Sequence, residues 1–507
     1  MVKLPNIIFT MADDHAAKSM SAYGHGINLT PNIDRLATEG ARFDHCYVTN
    51  SICTPSRAAI LTGMHTHANR VFTLNDKINN RLPNVAKSMK VAGYQTAIIG
   101  KWHLGEGSDY WNPDFIENGN EVTKTGYAVD IVTDYALDWL EERTSPELRS
   151  WEWHPKYKDL YNDPIKLPDI FTDDYKNRAN AARKAEMRVA DDLTYFDLGL
   201  VRPQGGHEVG DLFYPGVSLE RKVPNTENPV NLTLTDAGTG ELFRFETQKQ
   251  LAEFKFQRYM QRYLRVVQSV DDNVGRVLHW LDKAGLVNDT LVMYTSECSP
   301  GDHGWFDKRF IYEDSFQMSL LARYPQEIAP GTVVKDIVQN VDFAATMLDV
   351  AGLPTPSYMQ GKSFRKSLQG QTPEPWDQLA YHRYWMHRDA IHNAYAHCGV
   401  RDKRYKLIYW YNEGFNLTGT SGGGEEQQWE LFDTQEEPFE LFNVYNKAEY
   451  ANVRRTMTDK LERKMLDIGD IWVHDAGAIR QSDKDGEGSS GLISNRLKEA
   501  KRHAVNH

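Results

Sequence analysis

The chain has 507 residues, more than one hydrophobic core usually serves, so we expect two domains. Hydrophobic residues make up 40% of the chain and charged residues 25%, which is ordinary for a soluble globular protein. The net charge of -12 argues against nucleic acid or an anionic membrane as a partner, and no apolar run is long enough to span a bilayer.

The number of cysteines and the first residues of the chain indicate the cellular compartment in which we expect the protein. Four cysteines in so long a chain do not make a disulfide framework, which favours a reducing environment. The first five residues lead directly into an apolar strand, without the regions of a signal peptide. We therefore expect a cytoplasmic protein.

The first predicted strand is followed at once by two acidic residues. Residues 6–11 form a short apolar and β-branched run, which predicts a buried central strand. Asp13 and Asp14 follow at its carboxyl end, the edge where open α/β sheets bind ligands. Two adjacent carboxylates repel each other unless a cation or a shared proton lies between them. The pair is therefore a candidate cation site, and a loop pair that faces water is the alternative.

The next notable segment combines a thiol, a rigid proline and an arginine ahead of an apolar, helix-forming run. Pro55 suits the first turn of a helix, so Cys53 should lie just ahead of a helix amino terminus, where the helix dipole favours an anion. Arg57 adds a planar, permanent positive charge suited to a tetrahedral oxyanion. A buried and unreactive cysteine beside a turn is the alternative for so short a pattern.

The whole stretch Cys-Thr-Pro-Ser-Arg, followed by Leu-Thr-Gly, resembles the signature of the type I sulfatases, which belong to the alkaline phosphatase-like superfamily. In that family the cysteine is oxidised after translation to formylglycine, an aldehyde. Residues 30–40, 100–105 and 304–310 resemble further family segments, and the resemblance extends from residue 6 to about residue 465. It implies a large, mainly parallel α/β sheet flanked by helices and a small carboxyl-terminal α+β domain.

The resemblance also implies a metal site and a sulfate pocket. The metal ligands would be Asp13, Asp14, the formylglycine made from Cys53, and Glu297. The sulfate pocket would contain Cys53, Arg57, Lys101, His103 and Lys308. Carboxylates favour a hard cation such as Ca²⁺ or Mg²⁺, whereas a thiolate suits softer metals, so replacing the sulfur by an aldehyde hydrate makes the ligand set consistent.

The chemistry that the resemblance implies is hydrolysis of a sulfate ester. One hydroxyl of the hydrated aldehyde would attack sulfur and displace the alcohol, and the second hydroxyl would then expel sulfate. The expected partners are a small-molecule or glycan sulfate ester and the enzyme that generates formylglycine. Members of the family are often exported, which conflicts with the cytoplasmic location expected above.

The remaining pattern divides the chain into three parts. We expect a catalytic domain over residues 1–372, a carboxyl-terminal antiparallel sheet with one helix over 373–477, and a polar tail over 478–507. The predicted helices lie at 82–92, 127–142, 175–192, 260–284, 338–351 and 450–465. The predicted strands after the first lie at 93–100, 290–295, 320–325, 399–401, 405–411 and 429–433.

Three departures from the family pattern fall near the expected site, at residues 105–110, 143–151 and 296–301. The first is a shortened loop, and the second lacks the apolar strand and the substrate histidine that the family usually has. In the third, Glu297 and Cys298 stand where the family has two metal ligands, and cysteine is a poor ligand for calcium. Asp302 and His303 are alternative donors at a shifted spacing.

These departures leave several interpretations open. The chain is a divergent active sulfatase, a sulfatase-like protein that has lost activity and only binds sulfated glycans, or the product of a coding sequence that lacks short internal pieces. Hydrolysis of phosphate or phosphonate esters, which members of the wider superfamily perform, is a further enzymatic alternative.

Overall fold

The computed structural model describes residues 4–101, 114–117, 120–123, 127–141, 153–202, 222–296 and 302–470. The α-helices are α1 (Pro31–Thr38), α2 (Cys53–Thr62), α3 (Thr66–Asn69), α4 (Val85–Val91), α5 (Ala128–Glu141), α6 (Asn180–Lys184), α7 (Gln248–Lys283), α8 (Glu313–Phe316), α9 (Phe343–Val350), α10 (Arg365–Leu368) and α11 (Ala451–Ile468). Among the described helices, none is both long enough and apolar enough to cross a membrane.

The strands of the amino-terminal part are β1 (Asn6–Ala12), β2 (Ala41–Phe43), β3 (Cys46–Tyr47), β4 (Asp114–Glu117), β5 (Asn120–Thr123), β6 (Thr233–Thr235), β7 (Leu242–Arg244), β8 (Thr290–Ser296), β9 (Gln317–Met318), β10 (Leu320–Arg323), β11 (Thr332–Val334) and β12 (Val338–Gln339). Those of the carboxyl-terminal part are β13 (Ala380–Tyr384), β14 (His397–Arg401), β15 (Tyr405–Trp410) and β16 (Gln428–Asp433).

The central sheet has the strand order β1-β8-β10-β2-β11. β1 and β8 are parallel, β10 is antiparallel to both β8 and β2, and β11 is parallel to β2, so the described sheet is mixed. Successive side chains of a strand point to opposite faces. Accordingly, Ile8 packs with the apolar sides of α1 and α7, whereas Ile7 and Phe9 pack with the cluster that contains α9. The sheet is therefore covered by helices on both faces.

Two strand predictions near the site differ from the structure. β1 is an edge strand of the described sheet and its side chains are mostly half-buried, so the prediction of a buried central strand was wrong. Residues 95–99, all of them described, form no strand, and Ile98 is exposed. A β-branched apolar run becomes a strand only where a neighbour pairs with its backbone, and in the described sheet no strand pairs with this run.

The helix predictions were right in position and wrong in some boundaries. α7 begins well before residue 260, because Thr247 and Gln250 form a capping box at Gln248. The predicted helix at 338–351 begins only at Phe343, since Val338 pairs with Cys46 in a short parallel ladder. Within the predicted helix at 175–192, only α6 is an α-helix.

The carboxyl-terminal sheet is antiparallel throughout, in the order β13-β14-β15-β16, and α11 covers one of its faces. Its other face, with Tyr384, Ile408 and Trp410, is continuous with the core of the amino-terminal part. A buried ion pair between Lys406 and Glu440 also lies at this junction, where Lys406 reaches Glu313 of α8 as well. The antiparallel sheet with one helix therefore has the predicted form, and it packs as an integral part of the molecule.

Candidate active site

The carboxyl end of β1 presents the two predicted acidic residues to two lysines. Asp14 has a φ of 51°, a left-handed conformation that aspartate tolerates better than most residues. Lys308 Nζ lies 2.8 Å from Asp13 Oδ1 and 2.5 Å from Asp14 Oδ1. Lys101 Nζ donates to the other oxygen of Asp13. The structure thus brings together four residues that the sequence placed in the metal site and the sulfate pocket.

Cys53 joins this group from the other side. It is the first residue of α2, with Ile52 as the N-cap and Pro55 in the third position, so it lies within the first helical turn and not just ahead of it as predicted. The thiol donates to Asp13 Oδ1 across 3.4 Å, and the residue is only 8% exposed. One turn later, Arg57 donates from Nη1 to the carbonyl of Lys101 at 2.6 Å. The first turn of α2 therefore faces the end of β1.

The raised pKa of Asp14 indicates that the acidic pair lacks positive charge. Burial raises the pKa of Asp14 to about 7, and the charges of Asp13 and Asp307 act in the same direction, against the opposing charge of Lys308. A carboxyl group in this position holds its proton near neutral pH unless more positive charge arrives. This is the behaviour expected of a pair that binds a metal ion, and it fits the predicted role of Asp13 and Asp14.

The remaining predicted ligands divide into two groups. His103 and Glu297 lie outside the described residues, as do the departures at 105–110 and 143–151 and residues 297–301 of the third. Within the described ranges, no group of three or more His, Cys, Asp or Glu side chains is arranged to hold a metal ion. The two carboxylates of the acidic pair are oxygen donors of the kind that Ca²⁺ or Mg²⁺ prefers, and an oxygen-bearing group in place of the thiol at position 53 would extend that donor set.

The alternative donors at the shifted spacing have other partners. Asp302 forms a salt bridge with Lys18. His303 has both ring nitrogens engaged, Nδ1 at 2.8 Å from Asp314 Oδ2 and Nε2 at 2.6 Å from the carbonyl of Phe439. The proposal that these two residues replace the missing metal ligands is therefore not supported.

Sequence reasoning missed a second charged cluster beside Lys308. Asp307 Oδ2 lies 3.1 Å from Arg309 Nη2 and 2.8 Å from His392 Nε2, and His392 Nδ1 lies 2.8 Å from Asp389 Oδ1. Burial opposes ionisation of Asp307, but Arg309 and His392 outweigh it and hold the pKa of that carboxyl well below its usual range. Burial likewise opposes the charge of Arg309, whereas Asp307 and more weakly Cys53 favour it and raise its pKa.

Part of this cluster could have been predicted from the sequence, because Asp307 and Arg309 lie immediately beside the predicted Lys308. Asp389 and His392 carried none, because they lie between β13 and β14 and reach the site only through the packing of the carboxyl-terminal sheet.

Comparison with known proteins identifies the family. The sulfatase family profile matches residues 5–353, and a profile described as N-sulphoglucosamine sulphohydrolase, C-terminal, matches residues 301–467. This chain belongs to the sulfatase family. It is a sulfuric ester hydrolase of the alkaline phosphatase-like fold, as the signature around Cys53 predicted, and the family uses formylglycine and a divalent metal.

Two similar proteins have names that specify a sugar. An N-acetylglucosamine-6-O-sulfatase of Bacteroides thetaiotaomicron is 37% identical over 91% of this chain and 86% of its own length. The structure of BT4656 in complex with its substrate D-glucosamine-2-N,6-O-disulfate is 34% identical, with a TM-score of 0.78 over 92% of this chain and 98% of that one. A phosphonate monoester hydrolase of Agrobacterium radiobacter has a TM-score of 0.58 at 19% identity, over 90% of this chain and 95% of that one, and shows a shared fold alone.

Proposed function

We propose that this sulfatase removes the 6-O-sulfate from N-acetylglucosamine or a closely related sulfated glucosamine. The similarity to the N-acetylglucosamine-6-O-sulfatase of Bacteroides thetaiotaomicron, over nearly the whole of both chains, is the observation that carries the proposal. The complex of BT4656 with a 6-O-sulfated glucosamine supports the same substrate class.

Cys53 is proposed as the residue that becomes formylglycine. Its thiol touches Asp13, the carboxylate that also contacts Lys101 and Lys308, so position 53 lies where a nucleophile for a bound sulfate is needed. A divalent cation, Ca²⁺ or Mg²⁺, held by Asp13 and Asp14 would supply positive charge that favours ionisation of the nucleophilic hydroxyl. Maturation then requires a formylglycine-generating enzyme as a partner.

The two lysines have a double role in this proposal. In the structure described here, Lys101 contacts the carboxyl group of Asp13, and Lys308 contacts those of both Asp13 and Asp14. When a cation pairs with these carboxylates instead, the same amino groups would bind the sulfate oxygens, where fixed positive charge stabilises the transition state. Arg57 supports Lys101 through its hydrogen bond to the Lys101 carbonyl.

Asp307 and Arg309, which we call the sugar arm, are proposed to bind the hydroxyls of the glucosamine ring. They flank Lys308 in the chain, both are charged, and Cys53 is close enough to contribute to the pKa of Arg309. A carboxylate and a guanidinium side by side offer acceptors and donors together, which is what recognition of a sugar hydroxyl needs.

The test uses protein produced together with a formylglycine-generating enzyme. Sulfate release is measured from N-acetylglucosamine 6-sulfate, from its 3-sulfate isomer, from N-acetylgalactosamine 6-sulfate and from an aryl phosphate, with Cys53→Ala as the control. The proposal expects the highest kcat/KM for N-acetylglucosamine 6-sulfate and none in the variant. Faster hydrolysis of the phosphate, or of another sulfate isomer, would overturn it.

A further inference from the structure

A histidine from the carboxyl-terminal sheet reaches the sugar arm and is held there on both sides. His392 is 5% exposed. Its Nε2 lies 2.8 Å from Asp307 Oδ2, and its Nδ1 lies 2.8 Å from Asp389 Oδ1 and 2.9 Å from Arg309 Nε. Both members of the sugar arm therefore contact this one imidazole.

Asp389 is itself fixed by its own loop. Its Oδ1 accepts the backbone N–H of His392 at 3.0 Å, and its Oδ2 accepts that of Ala394 at 3.3 Å. Asp389 is 6% exposed, so the carboxylate is almost shielded from water. Asp389 therefore fixes the orientation of the His392 ring through Nδ1, and the ring in turn fixes the carboxylate of Asp307 through Nε2.

The sugar arm needs such an anchor because its own backbone is strained. Arg309 has a φ of 146°, a conformation that residues with a side chain rarely adopt. Strained conformations persist only where surrounding contacts over-determine them, and they concentrate at functional sites. The carboxylate of Asp307, which accepts from Arg309 Nη2 at 3.1 Å, is among the contacts that hold Arg309 here, and His392 in turn holds that carboxylate.

We propose that Asp389 and His392 are positioning residues that fix Asp307 and Arg309 in the geometry that binds the sugar ring, without touching the sulfate themselves. The inference rests on the proposed function, because it assigns these residues to selection of the glucosamine substrate. It also gives the carboxyl-terminal sheet a direct part in substrate choice.

The charges around His392 predict how the arrangement depends on pH. Burial and Arg309 lower the pKa of His392, but Asp389 and Asp307 outweigh them and raise it above its ordinary value. Asp197 lies within electrostatic range of His392. Tyr384 interacts with Asp389, Arg309 and Asp307, and Lys308 acts on Asp307. Below its folded-state pKa the imidazole is therefore charged, and its two N–H groups donate to Asp307 and Asp389. As the pH rises through that value, it loses its charge and one of these two donors.

The experiment compares two substrates in the matured full-length enzyme. In Asp389→Asn, we expect kcat/KM for N-acetylglucosamine 6-sulfate to fall by about 10–100-fold, mainly through a higher KM, while turnover of a nitrophenyl sulfate changes by less than about threefold. Because the variant removes a carboxylate that favours the imidazolium, the alkaline limb of the kcat/KM profile for the sugar sulfate should move to lower pH.

Glu425→Gln is the matched control. Glu425 pairs with another buried histidine, His387, at 3.0 Å in the same region. Its hydrogen bonds in the described structure go to His387 and Arg388 and not to the sugar arm, so both substrates should keep their wild-type rates. Thermal melting shows whether each variant is folded. If Asp389→Asn does not fold, His392→Gln provides the second test.

Three results would overturn the inference. Equal losses on both substrates with an unchanged pH profile would mean a purely structural role, and unchanged sugar-sulfate kinetics would mean no role. A wild-type enzyme that hydrolyses nitrophenyl sulfate but no glucosamine sulfate would instead show that the proposed substrate is wrong, and the assignment of these residues to it would be wrong with it.

Discussion

The site contains two charged clusters that are built differently. The first, which we call the nucleophile cluster, consists of Cys53, Asp13, Asp14, Lys101 and Lys308. The second is the sugar arm with Asp389 and His392. The acidic pair of the first cluster, Asp13 and Asp14, has side chains that are 25% and 28% exposed, whereas the anchor of the second, Asp389 with His392, has side chains that are both 6% exposed.

The difference between the partly exposed acidic pair and the buried anchor matches a difference in their proposed tasks. The nucleophile cluster must exchange partners, since its carboxylates pair with lysines in one state and would bind a cation in another. The second cluster alternates negative and positive groups in a chain, with each carboxylate held by an imidazole or a guanidinium, so its members keep their partners. In the proposed function, the first cluster performs the chemistry for any sulfate ester, while the second selects among them.

The largest effect should come from the nucleophile. Cys53→Ala removes the residue proposed to become formylglycine, so hydrolysis of sugar sulfates and nitrophenyl sulfate should both fall by about 10⁴-fold or more, to the background rate. Steady-state sulfate release measures this. If the variant lost only the sugar sulfate, the nucleophile would lie elsewhere and the division between the clusters would fail.

Removal of the cation should also affect both substrates alike. Prolonged dialysis of the matured enzyme against a chelator should abolish turnover, and Ca²⁺ or Mg²⁺ should restore it, because Asp13 and Asp14 need a counter-charge beyond the lysines. A cation at about 100 times its Kd should add about 2.7 kcal/mol to stability, visible as a higher Tm. Full activity after verified metal removal would contradict the assignment of the acidic pair.

The sugar arm should show the opposite selectivity. Arg309→Lys keeps the charge but loses the planar fork that contacts Asp307 and His392, so kcat/KM for the sugar sulfate should fall by about 10–100-fold with little change for nitrophenyl sulfate. Arg276→Lys, at an exposed ion pair with Asp134, is a matched control. A similar loss on both substrates would place Arg309 in the nucleophile cluster.

The smallest effect concerns stability and pH. Because burial raises the folded-state pKa of Asp14 to about 7, the folded cation-free protein binds a proton that the unfolded chain releases near pH 4. Stability should therefore decline as the pH rises from about 4 to about 7, and Asp14→Asn should flatten this decline. Thermal melting across this range, without and with Ca²⁺, is the measurement, and an unchanged slope in the variant would exclude Asp14 as its source.

Most residues of the nucleophile cluster could be predicted from the sequence, because they lie in short motifs next to the ends of strands and helices. Asp13, Asp14 and Cys53 follow or begin regular elements, and their roles depend on where those elements end. The carboxyl-terminal strands were equally readable, since apolar alternation and turn residues are local signals. The contact of Lys308 with both carboxylates could not be predicted from local signals, because Lys308 and Asp14 are 294 residues apart in the sequence.

The predictions that were wrong or missing concern features that depend on contacts between distant parts of the sequence. The apolar run at 95–99 has strand composition but no described partner, and His392 has no motif around it. Its function arises only when the carboxyl-terminal sheet packs on the same core as Lys308. Composition and spacing predict which residues are able to do chemistry, whereas tertiary packing decides which of them meet.

The central claim is that an aldehyde at position 53 carries out the hydrolysis of sulfate esters. The most direct test is to prepare the protein with different amounts of the formylglycine-generating enzyme, to measure the aldehyde fraction in the tryptic peptide of residues 43–57 by mass, and to measure sulfate release from N-acetylglucosamine 6-sulfate in each preparation. The account predicts that the rate is proportional to the aldehyde fraction and extrapolates to zero. A rate that does not depend on that fraction, or a fully converted protein that releases no sulfate, would contradict it.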